Sequence, residues 1–192
     1  MMGAMHTYAI LLRGINVGGN NAVPMAKLKA ILEKLGLEDV ATYIASGNVI
    51  ARSKKTAAQV KTAVEAALRK NFALSDGAGT VHVLTHAQLK AVVKDRPDGF
   101  GDEPATYHSD AIFLMGVPTA KAMKVFSPRE GVDAIWPGKN VVYSRRLSAE
   151  RTKSRLNRIM SSPLYKQMTI RNWNTTTKLL AMMEAREKEA KK

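Results

Sequence analysis

Val40-Ala41-Thr42-Tyr43-Ile44-Ala45-Ser46-Gly47-Asn48-Val49-Ile50-Ala51-Arg52 holds two runs suited to extended backbone, 40–44 and 49–52, around Ala45-Ser46-Gly47-Asn48. Serine, glycine and asparagine supply turn geometry, so the stretch predicts two strands joined as a hairpin. On its N-terminal side, Pro24 suits a first helical turn, and Met25, Leu28, Ile31, Leu32 and Leu35 recur on one face until Gly36 ends the helix. On its C-terminal side, Thr56-Ala57-Ala58-Gln59 is a capping box, followed by the stripe Val60, Ala63, Val64, Ala67, Leu68. Farther out on each side lie short apolar runs, 8–12 and 81–84, each read as a strand. The order is strand-helix-strand-strand-helix-strand, the split βαβ or ferredoxin-like plait, in which two helices cover one face of an antiparallel sheet.

A second round follows. Thr85-His86-Ala87-Gln88 is another capping box opening a short helix with Leu89, Val92 and Val93, and 95–106, rich in Asp, Pro and Gly, reads as a linker. Beyond it come a strand at 111–115, a helix at 119–126 stopped near Pro128, and strands at 132–136 and 140–144 around the turn Pro137-Gly138-Lys139. A basic helix over 148–160, a short helical piece at 163–167, a strand between 166 and 170 and a C-terminal helix from about Asn174 complete the chain. The fold class is α+β, with two tandem ferredoxin-like subdomains: 6–95, a linker at 96–106, and 107–192 with the C-terminal helix.

The 192 residues, 45% hydrophobic and 24% charged, have the make-up of a folded chain and not of a disordered one. No apolar run nears the roughly 20 residues of a membrane helix, and Met1 to Tyr8 lack the basic start and apolar stretch of a secretory signal, so a cytoplasmic location without membrane partners is expected. With no cysteine, disulfides, thiolate nucleophiles and cysteine zinc sites are excluded. Of the net charge of +14, residues 139–192 carry +10, from 14 Lys/Arg against 4 Asp/Glu. Such a field attracts polyanions, although a solvated basic face that only confers solubility has the same composition. The densest basic segment is Arg145-Arg146, Arg151, Lys153, Arg155 and Arg158, after Tyr143.

Three polar constellations carry what chemistry is visible. Leu12-Arg13-Gly14-Ile15-Asn16-Val17-Gly18-Gly19-Asn20-Asn21 joins a strand to a Pro-started helix, and its glycines allow successive N–H groups to form an anion-binding nest. It has neither P-loop nor Rossmann spacing, and a tight turn has the same needs. In the hairpin, Ser46 and Asn48 can bind a ligand or bond their own backbone. In Thr169-Ile170-Arg171-Asn172-Trp173-Asn174-Thr175-Thr176-Thr177-Lys178, Asn174 can cap the last helix and Trp173 can be core, which leaves Arg171, Asn172, Thr175 and Lys178 without a structural task. The candidate anion site is therefore Arg13, Gly14, Asn16, Gly18, Gly19, Ser46, Asn48, Arg171, Asn172, Thr175 and Lys178. Gly18 and Gly19 would offer backbone dipoles, Arg13 or Arg171 a bidentate charge, and Asn16 and Asn172 orienting hydrogen bonds, unless these amides only tie loops together.

These three blocks closely resemble the signature segments of the bacterial domain of unknown function 1697 family, in the right order over nearly the whole chain. The resemblance implies a paired α-β plait architecture and names no substrate. Nothing else points to catalysis. His82 and His86 lack the helical spacing of a metal pair, His108 stands in the linker, and no Gly-x-Ser-x-Gly elbow or paired acid/base carboxylates occur, so no catalytic residue, metal or cofactor is assigned. The expected function is a binding module for nucleic acid or a phosphate-bearing ligand. The alternatives are an enzyme acting on a phosphorylated or nucleotide-like small molecule, and a structural or oligomer-forming protein. An aromatic content of 6% argues mildly against a base-stacking platform.

Overall fold

The computed structural model describes residues 4–190, so Met1 to Gly3, Lys191 and Lys192 lie outside the described residues. The chain forms two compact units, one running through Lys90 and taking in the stretch from Leu179 onward, the other spanning Ala91–Lys178.

The first unit contains β1 (His6–Arg13), α1 (Met25–Lys34), β2 (Glu38–Tyr43), β3 (Asn48–Ser53), α2 (Ala57–Asn71) and β4 (Thr80–Thr85). Its four strands pair antiparallel in the order β2-β3-β1-β4, the arrangement of the α-β plait. Period-two alternation puts Tyr8, Ile10 and Leu12 of β1 on one face with Val49, Ala51, Val81 and Val83. Leu28 and Leu32 of α1 and Val60, Val64 and Leu68 of α2 close over that face. Each such aliphatic side chain contributes about 1.5–3 kcal/mol by leaving water. The opposite face, with Ala9, Leu11, Ile50 and Leu84, is buried too, which explains why β1 reads as an unbroken apolar run. The helix ends follow the sequence signals. Gln59 N–H donates to Thr56 Oγ1 while Thr56 N–H donates to Gln59 Oε1, and α1 ends in a Schellman pair, Leu37 N–H to Leu32 O and Gly36 N–H to Glu33 O.

The second unit repeats the strand order with β5 (Tyr107–Leu114), α4 (Thr119–Met123), β6 (Asp133–Gly138), β7 (Val141–Leu147) and β8 (Met168–Asn172). All its pairings are antiparallel, in the order β6-β7-β5-β8, so β8 completes this sheet. Two helices reach across the unit limits: α3 (His86–Lys94), opened by the Thr85–Gln88 capping box, and α5 (Trp173–Glu189). The segment 96–106 lies inside the second unit, where Phe100 is fully buried, and the part of α5 from Leu179 belongs to the first.

Three local expectations need correction. Pro137 and Gly138 are paired residues of β6, opposite Val142 and Val141, and the turn is Lys139-Asn140, with Asn140 at φ 58°. Proline is tolerated because β6 is an edge strand. The helix expected over 119–126 stops at Met123. The basic segment is no α-helix but a chain of 3-10 turns, Ser148–Lys153, Leu156–Ser161 and Pro163–Gln167. Ser154 and Ser162 have extended backbone, with ψ of 142° and 139°, and their hydroxyls accept from Leu156 N–H and Leu164 N–H, so each serine ends one turn and starts the next.

Candidate functional site

In the first unit the polar motifs are drawn into holding loops. Asn16, at φ 53°, donates through Nδ2 to Val23 O (3.0 Å) and Ala45 O (2.7 Å) and accepts from Val23 N–H (2.7 Å). Asn21 does the same work at the far end, donating to Gly14 O and accepting from Ser75 N–H. Arg13 Nη1 donates to Gly77 O at 3.2 Å. Gly14 packs near Ala78, whereas Gly18 and Gly19 are exposed at positive φ with open space around them. Asn48 is fully buried and donates to Tyr43 O and Ser46 Oγ, both at 3.0 Å. Gly47 shows how tightly the hairpin is built. At φ +84°, a Cβ there would sit 2.8 Å from Leu12 Cβ and 2.9 Å from Ile15 Cδ1.

Arg171, Asn172, Thr175 and Lys178 belong to the second unit, whereas Arg13, Gly14, Asn16, Gly18, Gly19, Ser46 and Asn48 belong to the first. The helix cap is Asn172 and not Asn174: its Oδ1 accepts Asn174 N–H at 3.0 Å. Thr176 and Thr177 hydroxyls bond back to carbonyls of the preceding turn. Arg171 is buried, with 7% exposure, and donates to Thr169 Oγ1 and Ile170 O; desolvation lowers its pKa to about 10. Thr175 is half-buried and Lys178 exposed on the same helix.

Sequence reasoning missed a cluster that the second sheet assembles. Pairing across β5, β6 and β7 places Ser109 opposite Arg145 and Trp136 opposite Tyr143, so these side chains share a face. The Arg145 guanidinium lies 4.0 Å from the Tyr107 ring centroid and 5.2 Å from that of Trp136. Below it, Phe100 makes edge contacts with Trp136, Tyr143 and Trp173 at 5.9, 5.3 and 5.0 Å. Tyr143 donates its hydroxyl to Val92 O at 2.7 Å, and burial first, then the Asp95 charge, pushes its pKa up to about 12. Gly101 lets this cluster close, because a Cβ there would fall 2.1 Å from Trp173 Cδ1.

On the opposite face, Asp133 anchors the 3-10 segment. Its Oδ2 accepts the N–H groups of Arg129 (2.9 Å) and Arg155 (2.8 Å). Burial disfavours its charge, but the Ser154 hydroxyl, those two backbone donors and the Arg146 charge outweigh burial and lower its pKa. The exposed Arg151, Arg155 and Arg158 form no ion pair among the described residues, while Lys153 pairs with Glu150 at 2.6 Å.

Two plait units with matched strand order and an arginine-rich connection define an α+β protein of paired plaits. The chain belongs to the family described as protein of unknown function DUF1697, whose sequence pattern matches residues 5–143. Among solved structures it is similar to the conserved bacterial protein SP0830 from Streptococcus pneumoniae, with 29% identity and a TM-score of 0.80 over 94% of this chain and 99% of that one. Among curated proteins, none matches.

Proposed function

We propose that this protein is a binding module for a phosphate-bearing partner, with the segment from Arg145 to Arg158 as the contact surface and the cytoplasm as its place of action. The observation that carries the reading is the set Arg151, Arg155 and Arg158, exposed and without ion pairs among the described residues, on a segment whose backbone is tied down at Arg155 by Asp133. A guanidinium presents a planar fork matched to phosphate oxygens, and a fixed backbone reduces the ordering cost of using several together. Arg145, held over Tyr107 and Trp136, adds a cation beside two half-buried rings. Contacts from such arginines go to phosphate oxygens and depend little on sequence.

Fluorescence anisotropy of labelled single-stranded RNA and duplex DNA, titrated with the protein at low salt, tests this reading. Binding in the micromolar range or tighter, weakening steeply with added salt, is expected. No binding to either polymer, alongside saturable binding of a mononucleotide, would transfer the surface to a small phosphorylated ligand. No binding to any of them would end the proposal.

A further inference from the structure

β8 stops at Asn172, opposite Asp110, while β5 runs on through Ser109, His108 and Tyr107. In the corner left beside that overhang, where α5 begins, the second unit has a pocket of about 80 Å³ lined by Gly101, Pro104, Tyr107 to Ser109, Ser148 and Asn172 to Asn174. Its size is well below the roughly 300 Å³ at which pockets take whole drug-sized ligands, so it suits one small polar group.

The two observations that matter are independent. The pocket opens on the first turn of α5, a 17-residue helix whose leading N–H groups have no intrahelical acceptor and sit at the positive end of the macrodipole. Asn172 Oδ1 occupies one of them, that of Asn174. Separately, Ser109, which also lines the pocket, is 5% exposed and its hydroxyl has no hydrogen-bond partner among the described residues. A buried hydroxyl left unmet costs free energy, and its O–H can donate to an oxygen brought into the pocket. Ser109 and the first residues of α5 line one small space. No carboxylate lines that space: the nearest acidic residue on β5, Asp110, is engaged by His108 Nε2 at 3.0 Å and borders a different cavity. A helix N-terminus beside a hydroxyl, with no carboxylate in the lining, fits an anionic oxygen group better than a cation.

We infer that the pocket between Ser109 and the α5 N-terminus is an oxyanion site, taking a single phosphate or carboxylate group. Ser109 Oγ–H donates to one oxygen and first-turn N–H groups of α5 to the others, while the Trp173 and Tyr107 rings wall the group off. The site goes beyond the arginine-rich surface and shares none of its arginines, so either can fail alone.

The test is an amide NMR titration of the whole chain with inorganic phosphate, and separately with acetate, at ionic strength held constant with chloride. Saturable shifts centred on Tyr107–Ser109 and Asn172–Thr175 are expected. Methyl phosphate and a 5′-phosphorylated oligonucleotide distinguish a free anion from the end of a larger ligand, since only an accessible site accepts both. Ser109→Ala should weaken phosphate binding roughly ten-fold or more while leaving the melting temperature unchanged or higher, because the hydroxyl has no hydrogen-bond partner among the described residues. Shifts restricted to Arg145, Arg146 and Arg151–Arg158, with none at Tyr107–Ser109, Ser148 or Asn172–Thr175, would overturn the inference and leave the polyanion reading standing. So would unchanged phosphate affinity in Ser109→Ala, or a melting temperature lowered by several degrees.

Discussion

The two plait units share one strand order and differ in what connects their third and fourth strands. In the first unit that connection is α2, which buries Val60, Val64, Ala67 and Leu68 along a regular stripe. In the second it is the chain of 3-10 turns, which buries Leu156 and Ile159 and turns its arginines outward. A helix at this place spends its sequence on the core. A ribbon pinned by serine hydroxyls and one aspartate needs few apolar residues, and most of the rest are exposed. The polar groups divide in the same way. In the first unit Asn16, Asn21 and Asn48 are consumed in bonding loop carbonyls, whereas in the second Ser109 Oγ has no hydrogen-bond partner and Arg151, Arg155 and Arg158 form no ion pair among the described residues.

The largest expected effects come from the closest approaches in each unit. Gly101→Ala and Gly47→Ala each force positive φ on a residue with a Cβ and drive that atom into a packed side chain, so each should cost about 2–4 kcal/mol in denaturant unfolding. Gly101→Ala should cost more, because its neighbour is the buried Trp173 ring, and equal losses would argue that the aromatic cluster gives way easily.

Each unit also has a core tyrosine whose hydroxyl donates to a backbone carbonyl, Tyr8 to Lys55 O and Tyr143 to Val92 O. For Tyr143 the folded pKa is raised from 10.0 to about 12, so its contribution is complete below pH 10 and is lost as pH rises toward 12. Arg171 acts in the opposite sense. With its pKa lowered from 12.5 to about 10, the folded state releases the proton first, and stability gains over that interval. Tyr143→Phe isolates the first effect: the stability difference between wild type and variant should shift by about 2–3 kcal/mol in the variant's favour between pH 10 and pH 12. Tyr8→Phe should show the same sign with a smaller size, as burial raises that pKa as well.

Asn16→Ala should cost roughly 1–3 kcal/mol and leave binding of nucleic acid and of phosphate untouched. If it instead left unfolding unchanged and abolished phosphate binding, the division of labour between the units would be wrong.

Most of the first unit was legible because its signals are local. Pro24, the Thr56–Gln59 box and Gly36 mark helix ends within a few residues, and the hairpin at Ser46 to Asn48 declares itself by turn chemistry. The second unit depended on partners distant in the chain. The 148–160 segment has residues tolerated in a helix, and only Ser154, with no apolar stripe on its N-terminal side, signalled the break. Arg145 gains meaning from Tyr107 and Trp136, and Ser109 from the end of β8, relations set by sheet register that no local window contains. Asn16 and Asn48 stand out in the sequence, but their partners, backbone carbonyls up to 29 positions away, are named only by the fold.

The most direct measurement is the salt dependence of oligonucleotide binding for the intact protein and for the Arg151→Ala/Arg155→Ala/Arg158→Ala variant. Each phosphate contact adds roughly 0.7 to 0.9 to the slope of log K against log salt, so losing three should flatten it by about 2 and weaken low-salt binding at least ten-fold, with unfolding unchanged because all three side chains are exposed. The same slope and affinity in the variant as in the intact protein would contradict the assignment of the 3-10 ribbon as the contact surface.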